Sequence, residues 1–210
     1  MQLGGEREAL AWYARHLIAD GLAVGTAGNL SIRAGELVAI TPSAVPYEKV
    51  TPELCAVVKL DGEVIEAETE PSLELRLHLA VYGGTAAGAV VHTHPAFATA
   101  VGAVFDELPG VHYLVAELGG PVRVVAYAQP GSANLAEGVV TALTGRSAAL
   151  LRNHGAVTTG ESLERAYERA VLLEWLCAVW VRAAALGDPA VIAPEDLTRL
   201  ADLVSTYGRR

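Results

Sequence analysis

Apolar residues recur along this chain at two periods. Between Glu6 and Asp20 they fall at Leu10, Tyr13, Ala14, Leu17 and Ile18, the spacing of an amphipathic helix that Gly21 ends. The stretch from Val24 to Arg33 feeds a strand, with Glu36-Leu37-Val38-Ala39-Ile40 as its hairpin partner. Cys55 to Lys59 reads as a further strand and Asp61-Gly62 as a turn. An acidic run, Glu63 to Glu70, leads to a helix over Leu73 to Tyr82, capped by Ser72 and stopped by Gly83 and Gly84. Ala86 to Val91 is an unbroken apolar run of the buried-strand type, and Pro95 opens a helix through Ala100. Val111 to Leu114 and Pro121 to Ala126 are predicted strands, and a helix from Ser132 reaches Leu143. Ala148 to Leu151 is another buried strand. Ser162 caps a long helix to Leu186, and a last helix covers Pro194 to Val204. Strands and helices mix without strict alternation. The predicted architecture is a single three-layer α/β/α sandwich over residues 1–210, with a mixed, mostly antiparallel central sheet.

Composition narrows the classes of partner. A chain of 210 residues, 52% hydrophobic and 19% charged, can bury a substantial core. Fifteen Lys and Arg against 24 Asp and Glu leave a net charge of −9. That balance argues against nucleic acid or an anionic membrane, yet permits a small anionic substrate in a locally positive pocket. Cys55 and Cys177 lie in apolar stretches and read as buried free thiols of a reducing, cytoplasmic compartment. Glu6, Arg7 and Glu8 stand where a signal peptide needs an apolar core. The most apolar long segment, Ala170 to Leu186, carries Glu174 and Arg182 and reads as a buried helix rather than a membrane span.

The candidate chemistry centres on Val91-His92-Thr93-His94-Pro95. Residues two apart on a strand share a face, so His92 and His94 can converge on one point, as half of a metal site would require. A third histidine, His154, ends the apolar run Ala148 to Leu151 and is followed by glycine. Three imidazoles with no ligand cysteine describe catalytic rather than structural zinc, with Mn²⁺ or Co²⁺ as substitutes. Glu74, at the start of its helix, is either a partner of the helix dipole or a base held at the helix mouth. Gly25 and Gly28 make either a tight turn or a loop whose amides face an anion, and Thr41-Pro42-Ser43-Ala44 is a second hydroxyl-rich turn beside it. His16 and His78 fall inside helical patterns and are expected to take no part. A Lewis acid with a carboxylate base and a tyrosine acid would abstract a proton next to a carbonyl.

Several stretches together resemble the class II aldolase/adducin family. They are Gly25-Thr26-Ala27-Gly28-Asn29-Leu30-Ser31, Thr41-Pro42-Ser43, Pro46-Tyr47-Glu48-Lys49, Pro71-Ser72-Leu73-Glu74, Val91-His92-Thr93-His94, His112-Tyr113, Asn153-His154-Gly155 and Thr206-Tyr207-Gly208. The resemblance runs from near residue 25 to the C-terminus. It implies one Zn²⁺ per chain on His92, His94 and His154, with Glu74 beside it as ligand and then as base. The implied reaction is reversible cleavage of a ketose 1-phosphate, L-fuculose 1-phosphate or a related deoxy-ketose phosphate. Its products would be dihydroxyacetone phosphate and an aldehyde such as lactaldehyde, formed through a zinc-stabilised enediolate. Tyr113 matches a tyrosine that a neighbouring subunit contributes as the acid, which implies a homotetramer with active sites at subunit interfaces. Tyr207 matches a C-terminal tyrosine that closes over the site. The phosphate would lie among Asn29, Ser43, Ser72 and the backbone around Gly28 and Ala44. Two positions depart from the family pattern. Leu73 replaces a second serine, and Ala44 replaces a glycine. The loss of one hydroxyl hydrogen bond to an anion is worth ~1.5–3 kcal/mol. Within the same fold a metal-dependent decarboxylase or a sugar-phosphate 4-epimerase is the alternative, although no extra acid/base residues match on the C-terminal side. An adducin-like interaction domain without catalysis would be expected to have lost the metal ligands, which are present here.

Overall fold

The computed structural model describes residues 1–193 and 195–200. Its strands are β1 (Asn29–Ala34), β2 (Leu37–Ile40), β3 (Ala56–Lys59), β4 (Val64–Glu66), β5 (Ala89–Thr93), β6 (Glu107–Leu108), β7 (Val122–Val125), β8 (Ala148–Leu151) and β9 (Gly155–Gly160). Among the described residues they form one nine-stranded sheet in the order β4-β3-β2-β1-β5-β9-β8-β7-β6. Every neighbouring pair is antiparallel except β7 and β8. The mixed, mostly antiparallel sheet expected from the sequence is present.

The sheet is flanked by α1 (Gly4–His16), α2 (Leu75–Gly84), α3 (Ala96–Val104), α4 (Ala133–Ala142) and α5 (Leu163–Leu186). Alternation along the strands sorts them into two layers. On β5, Ala89 and Val91 pack with Leu10 of α1 and Ala166 of α5. Val90 packs on the opposite face with Leu77 and Val81 of α2 and Val139 of α4. On β8, Ala148 and Leu150 join α3 and α5, while Ala149 and Leu151 join the α2 and α4 side. His92 has the parity of Val90 and therefore points toward the layer that holds α2. On β1 the same rule separates Leu30, in the α1 layer, from Asn29 and Ser31, whose register partners on β5 are His92 and Val90. The outer strand β4 is pinned to α1 by the buried Arg7. Its guanidinium donates to the carbonyls of Pro52 and Glu53, each at 2.7 Å, and pairs with the Glu66 carboxylate.

Several boundaries differ from the sequence reading. The stretch Val111 to Leu114 is not a strand. His112 Nδ1 accepts the amide of Leu114 at 3.3 Å, and Tyr113–Leu118 is a 3-10 helix. That local side-chain bond competes with any ladder. The helix predicted from Leu73 begins at Leu75 and runs through Gly84. Thr85 ends it, its hydroxyl donating to the Val81 carbonyl at 2.7 Å. The first helix stops at His16, and the one after Pro95 extends to Val104. Three strands lie outside the sequence reading: β4, inside an acidic run, the two-residue β6, and β9, bounded by glycines. Of the last predicted helix, 195–200 is helical and the remainder lies outside the described residues, as does Tyr207. No helix among the described residues is long and apolar enough to cross a membrane.

Candidate active site

Three chain segments deliver the histidines to one place. β5 carries His92 on the α2 side, and His94 follows just beyond its end, its amide donating to the Leu22 carbonyl at 2.9 Å. Pro95 then caps α3, whose first free amides, Phe97 and Ala98, are taken by the Glu174 carboxylate of α5 at 2.9 and 2.8 Å. His154 sits in the turn between β8 and β9, where Asn153 holds a left-handed φ of 54°. Gly155 makes the approach possible. A Cβ there would lie 2.2 Å from the Thr93 carbonyl oxygen, so only glycine lets β9 run this close to β5. Glu74 comes from the opposite layer. It occupies the cap position before α2 rather than the first turn, with its amide bonded to Ser72 Oγ at 3.2 Å and its carboxylate making no cap bond. The side chain is thereby left for the site.

The four groups converge tightly. One ligand atom from each of Glu74, His92, His94 and His154 lies within 4.8 Å of all the others. The three imidazole centroids are 4.7–4.9 Å apart and meet edge to face. Glu74 Oε2 stands 2.8 Å from His92 Nε2, and Oε1 stands 3.5 Å from His154 Nε2. His92 Nδ1 lies 2.9 Å from the Ala156 carbonyl and must donate to it, which turns the Nε2 lone pair inward. That nitrogen then meets His94 Nε2 at 3.0 Å. Two imidazole nitrogens and a carboxylate oxygen at such distances repel unless a cation lies between them. Glu74 Oε1 is buried with no hydrogen-bond partner. The donor set and this orphaned oxygen both fit a divalent metal ion.

Electrostatics within the cluster favour the ligand forms. Burial pushes His94 down to about 3 and His154 to about 4, and the neighbouring His92 adds to both shifts. Burial alone would raise the Glu74 carboxyl. The adjacent His92 and His154 rings and the Asn29 amide overcome it and hold the group well below the usual carboxylate range. Neutral imidazoles and an ionised carboxylate are the states that bind a metal.

Above the cluster opens a cleft of about 310 Å³ lined by Gly28, Asn29, Ser43, Ala44, Ser72, Glu74, His94 and His154, among others. Gly28, Asn29, Ser43, Ala44 and Ser72, assigned to the phosphate from the sequence, thus share a cavity with the carboxylate and two of the histidines, whereas Gly25 and Thr41 do not line it. One hydrogen bond ties the loops together, Ser43 N–H donating to the Glu70 carbonyl at 2.9 Å beside the antiparallel bridge pair Pro42 and Pro71. Gly28 is needed where it stands, since a Cβ would lie 2.8 Å from the His92 carbonyl oxygen. Ala44 holds a left-handed φ of 56° without being glycine, and Leu73 is 74% exposed. Tyr113 is not brought to this cleft; it is 48% exposed on the 3-10 helix, its ring 4.5 Å from that of His112. His16 stacks on Trp12, away from the cluster. His78, expected to be a bystander, is instead joined to the site. It bonds the Asn29 side chain, and Asn29 Nδ2 donates to Glu74 Oε2 at 3.2 Å. Helical periodicity alone hid that role. The strand parity that turns Asn29 and Ser31 toward α2 was the signal that could have found it.

Comparison with known proteins agrees with this geometry. Residues 8–181 match the family model described as the class II aldolase and adducin N-terminal domain. The chain is 36% identical over 213 residues to the 5-deoxy-D-ribulose 1-phosphate aldolase of Bacillus thuringiensis serovar kurstaki, covering the whole of both proteins. It is likewise 36% identical over 193 residues to the L-fuculose phosphate aldolase of Escherichia coli K12, covering 90% of this chain and 89% of that one. A solved structure of an L-fuculose 1-phosphate aldolase superposes with a TM-score of 0.94 at 31% identity, covering 98% of each chain. Aldolases of this class are metal-dependent, as the cluster of Glu74 and three histidines would require. Fold, site and similarity along nearly the full length coincide, and the chain belongs to the class II aldolase and adducin family.

Proposed function

We propose that the chain is a zinc-dependent aldolase, one catalytic domain over residues 1–210, that reversibly cleaves a ketose 1-phosphate to dihydroxyacetone phosphate and a short aldehyde. Relatives named for 5-deoxy-D-ribulose 1-phosphate and for L-fuculose phosphate stand at the same 36% identity. The substrate is therefore given as the class both names share, with L-fuculose 1-phosphate and related deoxy-ketose phosphates as its members and lactaldehyde as one product. The observation that carries the reading is a single carboxylate, Glu74, with an unpartnered oxygen among three imidazoles on the floor of a hydroxyl-lined cleft.

Held by His92, His94 and His154, one Zn²⁺ per chain would polarise the substrate carbonyl and acidify the adjacent carbon. Glu74 takes the proton from that carbon in the direction of synthesis. Its charged form is favoured where it stands, so the base is ready at neutral pH. The deprotonated carbon attacks the aldehyde, and Tyr113 of the partner subunit protonates the new alkoxide. In cleavage each proton returns the way it came, and Glu74 restores its proton to carbon. Ser43, Ser72, the second amide hydrogen of Asn29 and the backbone beside Gly28 and Ala44 hold the phosphate. Tyr207, which matches the family's closing tyrosine, is assigned closure over the bound substrate. The exposure of Tyr113 and its absence from the lining of its own cleft support sites completed across subunit interfaces, in an assembly we take to be a homotetramer. Two buried free cysteines support a cytoplasmic location.

Glu74→Gln keeps the shape and removes the basicity. The variant should hold its metal while exchange of the donor's hydroxymethylene proton with solvent falls roughly 10²–10⁴-fold. Tyr113→Phe should keep that exchange and lose carbon–carbon cleavage. Mixing the two inactive variants should restore part of the activity, because some hybrid sites then carry both Glu74 and Tyr113. Wild-type exchange by metal-loaded Glu74→Gln would remove the base assignment, and mixed variants that stay inactive would remove the shared site.

A further inference from the structure

Glu74 is held from behind by a line of polar groups that leads away from the cleft. His78, one helical turn on from Glu74 and fully buried, packs against β1. Its Nδ1 lies 2.6 Å from Ser31 Oγ, and Ser31 Oγ lies 2.7 Å from the Tyr82 hydroxyl. Its Nε2 meets Asn29 Oδ1, and Asn29 Nδ2 reaches Glu74 Oε2 at 3.2 Å. We infer that His78 is a positioning residue for Glu74, acting through the Asn29 amide to fix which carboxylate oxygen is tied down and which is free. The inference rests on the reading of Glu74 as the base.

The directions of the hydrogen bonds follow from the acceptor at the end of the line. An ionised carboxylate can only accept, so Asn29 must turn its NH₂ toward Glu74 and its oxygen toward His78. His78 then has to carry its proton on Nε2. Its Nδ1 lone pair is left to accept from the Ser31 hydroxyl, whose oxygen accepts in turn from Tyr82. The opposite tautomer would reverse the Asn29 amide. Its oxygen would then face the Glu74 carboxylate at 3.2 Å, two electron-rich atoms in a buried place. The tautomer of a residue that touches no substrate therefore decides whether Glu74 Oε2 is anchored. With Oε2 bonded to Asn29, Oε1 is the oxygen left with no hydrogen-bond partner, and it is the one able to take a proton. A merely structural cluster would fasten α2 to β1 equally well in either direction; the consequence for Glu74 depends on this one.

The first test needs no substrate. In wild-type, metal-free protein labelled with ¹⁵N, the ring nitrogens of His78 should show the Nε2–H tautomer, and Ser31→Ala should admit a fraction of Nδ1–H. A wild-type Nδ1–H form overturns the inference. The second test is kinetic. His78→Phe keeps the bulk and removes both nitrogens. It should retain its metal and the KM for dihydroxyacetone phosphate, while kcat for donor-proton exchange falls roughly 10–100-fold. His78→Gln, whose amide can donate to Asn29 Oδ1, should recover most of that loss. In an Asn29→Ala background His78→Phe should cost nothing further; additive losses would show that it does not act through Asn29. Glu74→Gln separates the two failures. If its exchange is at the wild-type rate, the base assignment fails and this inference with it. If Glu74→Gln is inactive while metal-loaded His78→Phe exchanges normally, the inference alone fails.

Discussion

Ala44 is the residue in the cleft whose backbone and side chain disagree. A left-handed φ of 56° crowds the Cβ of any L-residue, and Ala44 is exposed, with no packing to compensate. Ala44→Gly should therefore stabilise the protein by about 1 kcal/mol, read as a higher denaturant midpoint at unchanged slope. A lower midpoint would mean that the greater freedom glycine brings to the unfolded chain outweighs the relief. At this scale much was legible before any coordinates. His92, His94 and His154 could be picked out because each ends or follows an apolar run, and Ala44 and Leu73 stood out as departures from a family pattern. Glu174 could not be found in that way. It interrupts an apolar helix, and its task of capping α3 depends on contact between elements 77 residues apart. His78 was hidden for the opposite reason, since it fits its own helix perfectly well and its importance lies in the strand opposite.

At the scale of the element, α3 and its borrowed cap position His94. The helix starts two residues after that histidine and supplies no side-chain cap of its own. Glu174→Leu should cost roughly 0.5–2 kcal/mol, the range for a lost N-cap, and should also weaken metal binding through the loosened residue before the helix. Melting temperature and a metal-competition titration measure the two effects. Glu174→Gln should fall between the leucine variant and the wild type. Element type was readable wherever the period was long. The helix from Ser162 to Leu186 has the bounds its sequence predicts, with Ser162 Oγ accepting the Arg165 amide. Short strands were less legible. β9 is Gly-Ala-Val-Thr-Thr-Gly, with glycines where a turn is expected, and it is the pairing with β5 and β8 that makes it a strand. The error at Val111 to Leu114 was one of the same kind. The residue types suit a strand, and His112 supplies a local bond that prevails.

Across the whole molecule, the polar groups buried on one face of the sheet couple stability to pH. The unfolded chain protonates its histidines below pH about 6.5. In the folded protein His94 resists to about 3 and His154 to about 4. The stability linked to them is complete above pH 6.5 and is lost as pH falls toward those lower values. The slope is at most about 1.4 kcal/mol per pH unit for each group. Glu74, with its carboxyl held low, extends the loss in the same direction below the ordinary carboxylate value of 4.5. Chemical denaturation of the metal-free protein at pH 7, 5.5 and 4.5 should give steadily falling stability, and a flat profile would contradict the assignment. A last consequence follows from how the histidines are walled in. His92 is fully buried beneath the cleft, β5 and β9 close the space beside it, and the open side of the cluster is the cleft itself. Among the described residues, ion and sugar must then pass through one doorway. A seated ketose phosphate would act as a stopper, so a chelator should strip the enzyme quickly when it is empty and slowly when dihydroxyacetone phosphate saturates it. Stripping at the same speed in both conditions would mean a second exit. With one doorway, loading has an order imposed by shape alone, the ion first and the sugar after it.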